Sequence, residues 1–200
     1  HNGIFKVQTF FNGSPYFSYA FNTFAFDESR YINNFIDYPR YYSTGQRYQK
    51  LFIKTPYGLS LLKSTPSNGQ FSIVPDTIKN YRIEVADYHG NKTIVNGSIE
   101  YSDKPAQVAD PRHITPYFVK AGNDHNYTKD NVSVFIPANA FYEDFYMDFN
   151  VRDSILYLHN ATVPIHTNVE ITFDAGHLPK DVLQKTFIAG FNEKKISYNN

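Results

Sequence analysis

Hydrophobic and polar residues alternate in short runs broken by turn-forming residues along most of this chain. IFKVQTFF (4–11), the turn Asn12-Gly13-Ser14-Pro15 and YFSYAF (16–21) predict a β-hairpin, because Asn-Gly suits a tight turn between paired strands. YRIEVADY (81–88), His89-Gly90-Asn91 and KTIVNGSIEY (92–101) predict a second hairpin. In it Tyr81, Ile83 and Val85 alternate with Arg82 and Glu84, as one buried face requires. LFIK (51–54), LSLL (59–62) and FSIV (71–74) read as further short strands. Beyond a proline-bearing stretch, TPYFVKAG (115–122), VSVFIP (132–137), FYMDFNV (145–151), ILYLH (155–159), VEITFD (169–174), TFIAGF (186–191) and KKISY (194–198) continue the β pattern. Phe145, Met147, Phe149 and Val151 fall on one face, and Tyr146, Asp148, Asn150 and Arg152 on the other.

Two places break the two-residue period. Asp27-Glu28-Ser29 suits a helix start, and Tyr31, Ile32, Phe35 and Ile36 recur at helical spacing until Pro39, which is expected to end the pattern. This predicts a helical crossover near 27–38 leading into a strand at 51. His177 to Lys185 predicts a single helical turn. The closely spaced strands and turn signals predict an all-β fold of two tandem immunoglobulin/fibronectin-like β-sandwich domains, over residues 1–103 and 113–200. Residues 104–112, with two prolines and few apolar positions nearby, form the expected linker.

Composition sharpens this picture. The chain of 200 residues holds 17 Tyr, 18 Phe and no Trp, a usage suited to pleated, half-buried surfaces. Basic and acidic residues balance at 19 each, and neither half carries a basic field, which argues against nucleic acid as a partner. No apolar run is long enough for a membrane span. Cysteine is absent, which removes disulfides, thiol catalysis and Cys-zinc sites. The opening His1-Asn2-Gly3 carries no signal-peptide pattern and reads as the start of a trimmed piece of a longer protein.

Candidate chemistry is sparse. His177 and Asp181 fit an H-x-x-x-D pair, but no H-x-H follows, and a catalytic zinc needs three protein ligands and an open position. His89, His113, His125, His159 and His166 are scattered, as turn and surface histidines are. There is no G-x-S-x-G. Glu143, Asp144, Asp148 and Asp153 cluster in sequence, yet Asp144 and Asp148 on one strand would stand roughly 13 Å apart, too far to flank a sugar bond. They read as a solvated strand face. Six N-x-S/T triplets, at Asn12, Asn91, Asn96, Asn126, Asn131 and Asn160, mark turns, and Asp76-Thr77-Ile78 and Asp153-Ser154-Ile155 fit an acid-hydroxyl-aliphatic pattern open to O-glycosylation. No catalytic or metal residue is assigned. Tyr31, Tyr38, Tyr41, Tyr42, Tyr48 and Tyr57 either pack the crossover onto a sheet or expose a platform on which sugars stack.

Several segments carry a resemblance: His1-Asn2-Gly3-Ile4-Phe5, Phe26-Asp27-Glu28 with Arg30-Tyr31-Ile32-Asn33, Ile36-Asp37-Tyr38, Gln49-Lys50-Leu51-Phe52, Asp87-Tyr88-His89-Gly90-Asn91 and Phe141-Tyr142-Glu143-Asp144-Phe145-Tyr146. Together they resemble the region that follows the catalytic domain in secreted bacterial zinc metallopeptidases of the lysostaphin (LytM-like) type, which cut peptidoglycan. The resemblance implies an exported protein of the periplasm or cell envelope. It implies a non-catalytic accessory region, not an enzyme in itself, that positions or regulates a peptidase domain absent from this chain. Zinc would belong to that domain, leaving no cofactor here. The implied partners are the chain's own peptidase domain or envelope proteins. The alternative is a glycan- or peptidoglycan-binding module that uses the tyrosines.

Overall fold

The computed structural model describes residues 3–22, 25–54, 58–64, 66–104, 113–192 and 195–199. The chain is mostly β, in several antiparallel sheets.

The first half builds one five-stranded antiparallel sheet. Strand β1 (Ile4–Phe11) pairs with β2 (Ser14–Ala20) across the expected hairpin. The turn is tight because Asn12 and Gly13 both take left-handed backbone angles, φ 46° and 83°. Short β3 (Leu62–Ser64) flanks β2. The second expected hairpin, β4 (Ile78–Asp87) with β5 (Lys92–Glu100), docks β4 on the other side of β1, giving the order β3-β2-β1-β4-β5. Its turn is pinned by the Asp87 carboxylate, which accepts from the His89 and Asn91 backbone N–H groups at 2.9 Å each and from the Asn91 side chain at 2.8 Å. These bonds, the Asn91 side chain first, hold the Asp87 carboxyl below its ordinary range.

A sandwich would place a second sheet over this one. Here the facing layer is helical and irregular instead. A 3-10 turn (Phe26–Glu28) leads into α1 (Ser29–Phe35), which ends before Ile36 takes an extended backbone. Pro39 does not stop the helical region: it sits in the first turn of a second helix, α2 (Tyr38–Thr44), where a missing N–H costs nothing. Asp37 caps α2 by accepting from the Arg40 N–H at 3.2 Å, and Gly45 closes it in a left-handed conformation. Leu51–Lys54 and Phe71–Val74 are not strands. The first is a bent segment whose Ile53 is buried and donates its N–H to Asn68 at 2.9 Å. Leu51 and Ile53 serve the core from this bend, whereas Phe71 packs on Phe11 and Tyr16.

The core of this half is the seam between sheet and overlay: Val7, Phe17 and Tyr19 from the sheet meet Phe35, Ile53, Leu59 and Leu61. Burial pushes the Tyr19 hydroxyl up to about 12. The turn at Pro66–Gly69 is locked beneath it. Gly69 has φ +76°, and a Cβ there would lie 2.5 Å from the Leu51 carbonyl and 2.8 Å from the Phe17 ring.

Residues 105–112, most of the expected linker, lie outside the described residues. The second half surrounds its own core with small sheets. A three-stranded sheet orders β12 (Glu170–Phe173), β8 (Val132–Ile136) and β7 (His125–Lys129). β6 (Phe118–Val119) pairs with β9 (Phe145–Tyr146), and β10 (Phe149–Arg152) with β11 (Ile155–Leu158). Val119, Val132, Val134, Ile136, Ala140, Met147 and Phe149 form the buried cluster, so the alternating face expected over 145–151 does point inward. The expected helical turn is α3 (Lys180–Leu183), and β13 (Ile188–Asn192) pairs with β14 (Lys195–Asn199).

Candidate functional site

The tyrosines grouped in sequence go to two places. Tyr31, on α1, faces the second half. Its ring stacks on His166 with centroids 4.6 Å apart and lies 6.0 Å from the Tyr142 ring. The buried Tyr142 hydroxyl donates to the Arg30 carbonyl at 2.7 Å and contacts His166 Nδ1 at 3.0 Å. With its one proton committed to Arg30, the Tyr142 oxygen is the acceptor toward His166, so Nδ1 carries the hydrogen. The Arg30 guanidinium in turn donates to the His166 carbonyl. Burial raises the Tyr142 phenol, the neighbouring Tyr31 adds to the shift, and Arg30 opposes it.

A second set of contacts lies beside the first. Glu143 accepts from Lys54 at 2.6 Å and stands 3.7 Å from Lys50. Burial lowers the Lys50 ammonium, and Glu143 pulls it back up. The two halves are therefore joined by an aromatic stack, reciprocal Arg30–His166–Tyr142 hydrogen bonds and a paired acid. A combination of ring packing and directional bonds fixes orientation better than surface charges alone.

Tyr38, Tyr41, Tyr42 and Tyr48 form the other group, on α2 and the segment after it. Tyr38 and Tyr41 are half-buried with centroids 6.2 Å apart, whereas Tyr42 and Tyr48 are 59% and 47% exposed. Arginines interleave: the Arg40 guanidinium lies 3.9 Å over the Tyr48 ring, and that of Arg47 5.0 Å from the Tyr41 ring. The segment is anchored from below, where Asp37 N–H bonds the Tyr48 carbonyl at 2.8 Å and the Gln49 amide bonds the Phe35 carbonyl at 2.6 Å. Tyr57 lies outside the described residues.

The acidic residues disperse. Glu143 serves the junction, and Asp144 accepts from the Ala121 N–H at 2.9 Å. Asp148 sits between His113 at 3.2 Å and His159 at 3.6 Å, while Asp153 is in the left-handed turn of the β10–β11 hairpin. His159 Nδ1 accepts from the Asp148 backbone N–H at 3.2 Å, which makes the imidazole neutral and the 3.6 Å approach no ion pair. Burial agrees, lowering the His159 pKa against the pull of Asp148. Among the described residues no three His, Asp or Glu side chains gather as a metal site, and His177, in the turn before α3, and Asp181, on α3, are both exposed. An apolar cavity of about 150 Å³ opens beside His159, between Phe141, Phe145 and Val169. It is smaller than the ~300 Å³ at which ligand pockets begin. The junction's partners are far apart along the chain, and the aromatic character of Tyr31 and Tyr142 is its only trace in the sequence.

The second-half side of that junction, Tyr142, Glu143 and His166, lies in a segment that a family model matches. Residues 116–199 match the model of the Zu5-like domain. The Zu5-like match covers the buried β6–β12 cluster and the α3 turn, less than half of the chain. It does not bear on the lysostaphin-type resemblance. No curated protein and no solved structure matches the chain.

Proposed function

We propose that this chain is a non-catalytic accessory region of a peptidoglycan metallopeptidase-like protein. It would hold or regulate an attached peptidase domain, or dock it to envelope proteins. The resemblance supports an exported protein at the periplasm or cell envelope, and zinc would belong to the peptidase domain. In this reading the second half is a sandwich-like unit of immunoglobulin type, and the first an adaptor fixed to it. The observation that carries the proposal is the Tyr31–His166–Tyr142–Arg30 junction. It commits the buried Tyr142, the half-buried Tyr31 and His166 and the exposed Arg30 to contacts between two units, which is what a spacer or positioning element needs. No helix among the described residues is long and apolar enough to cross a membrane.

The test is a peptidoglycan hydrolysis assay on this chain with added zinc. No turnover is expected, and turnover by the chain alone would refute the accessory reading. A second reading, a glycan-binding module, is favoured by the exposure of Tyr42 and Tyr48 with arginines across neighbouring rings. Sugars stack on such faces. Sedimentation of the chain with insoluble peptidoglycan, abolished in Tyr42→Ala/Tyr48→Ala, would support it; equal sedimentation of that variant would end it.

A further inference from the structure

The first-half sheet has two unlike edges. β3 is three residues long, whereas β5 is nine residues long and pairs with β4 in an unbroken register. Natural edge strands are usually protected by a proline, a bulge, an inward charge or a covering element. β5 has no proline and no bulge, and its charges stand only at its two ends, Lys92 and Glu100. Its middle is Thr-Ile-Val-Asn-Gly-Ser-Ile, with Ile94 50% and Val95 48% exposed on opposite faces.

That distribution has a symmetry. In an antiparallel pair of two β5 strands centred on Asn96, Lys92 of each copy falls opposite Glu100 of the other. Thr93 meets Ile99, Ile94 meets Ser98, and Val95 meets Gly97. Every pairing is favourable or neutral, and the two opposite-charge pairs close both ends. The match extends to shape. Gly97 has no side chain, and the Tyr81 ring lies 2.5 Å from where a Cβ would be. Val95 of the second copy would therefore settle beside an aromatic face, as apolar cross-strand pairs do. Within one copy Lys92 already leans on Glu84 at 3.4 Å, and Glu84 on Arg82 at 3.2 Å. The Glu100 carboxylate makes no ion pair among the described residues, so it is available to a second copy.

We propose that the chain forms a two-fold dimer by β5-to-β5 pairing, joining two five-stranded sheets into one continuous sheet. Such an isologous contact is self-complementary by construction. Edge pairing buries less than the ~1,600 Å² of a standard interface, so the dimer is expected to dissociate at roughly upper-micromolar concentrations.

Sedimentation equilibrium of the 200-residue chain from roughly micromolar to millimolar concentration is the test. The wild type is expected to pass from monomer to dimer. Lys92→Glu and Glu100→Lys each put like charges at both ends and should weaken the dimer about tenfold or more. The double variant K92E/E100K restores both pairs with signs exchanged, and should recover the wild-type constant to within about threefold. Glu100→Lys disturbs no ion pair among the described residues, so its circular dichroism and melting should match the wild type and keep the test independent of folding. A wild type that stays monomeric throughout would overturn the proposal. So would a dimer indifferent to the single changes, or a double variant no better than the singles.

Discussion

β2 and β5 are strands of one sheet, one on each side of the β1–β4 centre, and their surroundings are opposite. β2 buries four consecutive residues, Phe17 to Ala20, and on one face its Phe17 and Tyr19 pack against Phe35 of α1 and against Ile53, Leu59 and Leu61. β5 has no residue buried to that degree, and seven of its nine positions are exposed. The strands' own hydrophobicity differs only a little, Ile94, Val95 and Ile99 in β5 against Tyr16, Phe17, Tyr19 and Ala20 in β2, and does not account for the difference. The difference comes from where the chain spends its insertion. Among the described residues, Phe35, Ile53, Leu59 and Leu61, all later in the chain than β2, fold back over β2 and β1, and no buried residue of that cluster comes from β5. A strand's burial is a property of what is laid over it as much as of its residues.

This contrast can be broken most severely at Phe17. Phe17→Ala should cost about 3–5 kcal/mol, because the ring fills the seam between sheet and overlay and its loss leaves a cavity. Chemical denaturation measures it, and a loss near zero would mean the overlay is not packed on β2. Gly69→Ala comes next, at roughly 2–4 kcal/mol, from a strained left-handed backbone and from collision with the Leu51 carbonyl and the Phe17 ring. The same denaturation experiment reads it.

Tyr19 gives a pH signature to the covered flank alone. Its folded value, about 12, lies above the value of about 10 in the unfolded chain. Its stabilising contribution is therefore complete below pH about 10 and is lost as pH rises toward about 12, a fall of about 2–3 kcal/mol. Tyr19→Phe should flatten that part of the alkaline limb in a pH series of melting curves. On the bare flank Val95→Thr should change monomer stability by no more than about 0.5 kcal/mol, since a half-exposed side chain in the monomer has little packing to lose. A loss comparable to that of Phe17→Ala would mean that the β5 flank is covered after all.

Much of this was legible along the chain. The two hairpins announce themselves through alternation and through Asn12-Gly13 and Gly90-Asn91, where local turn chemistry fixes the geometry. The inward face of Phe145, Met147, Phe149 and Val151 was legible for the same reason, although the strand breaks at Met147-Asp148. The misread segments are those where tertiary contacts decide. LFIK is apolar because Leu51 and Ile53 reach the core from a bend, and FSIV because Phe71 packs on Phe11 and Tyr16; a strand pattern imitates both. Pro39 marks a boundary in either role, and only the Asp37 cap tells a start from a stop. β7, His125-Asn-Tyr-Thr-Lys, is too polar to read as a strand but is paired along its length with β8. Of the grouped tyrosines, the sequence could not separate Tyr31, which belongs to the junction, from Tyr42 and Tyr48, which face solvent, because the difference depends on Tyr142 and His166 more than a hundred residues away.

The central position of β1 bears on how the molecule is made. Each hairpin is a local event, closing on the scale of microseconds once its turn exists. The bond between β1 and β4, however, joins residues at opposite ends of the first half, across the whole helical insertion. An emerging chain holds β1–β2 with one side of β1 open until β4 has been synthesised, and only then can the two hairpins dock. Long-range pairing of this kind is slow and leaves an unsatisfied strand waiting. The slow step in refolding should therefore be the meeting of two ready-made hairpins, with β1 the surface most in need of protection while it waits.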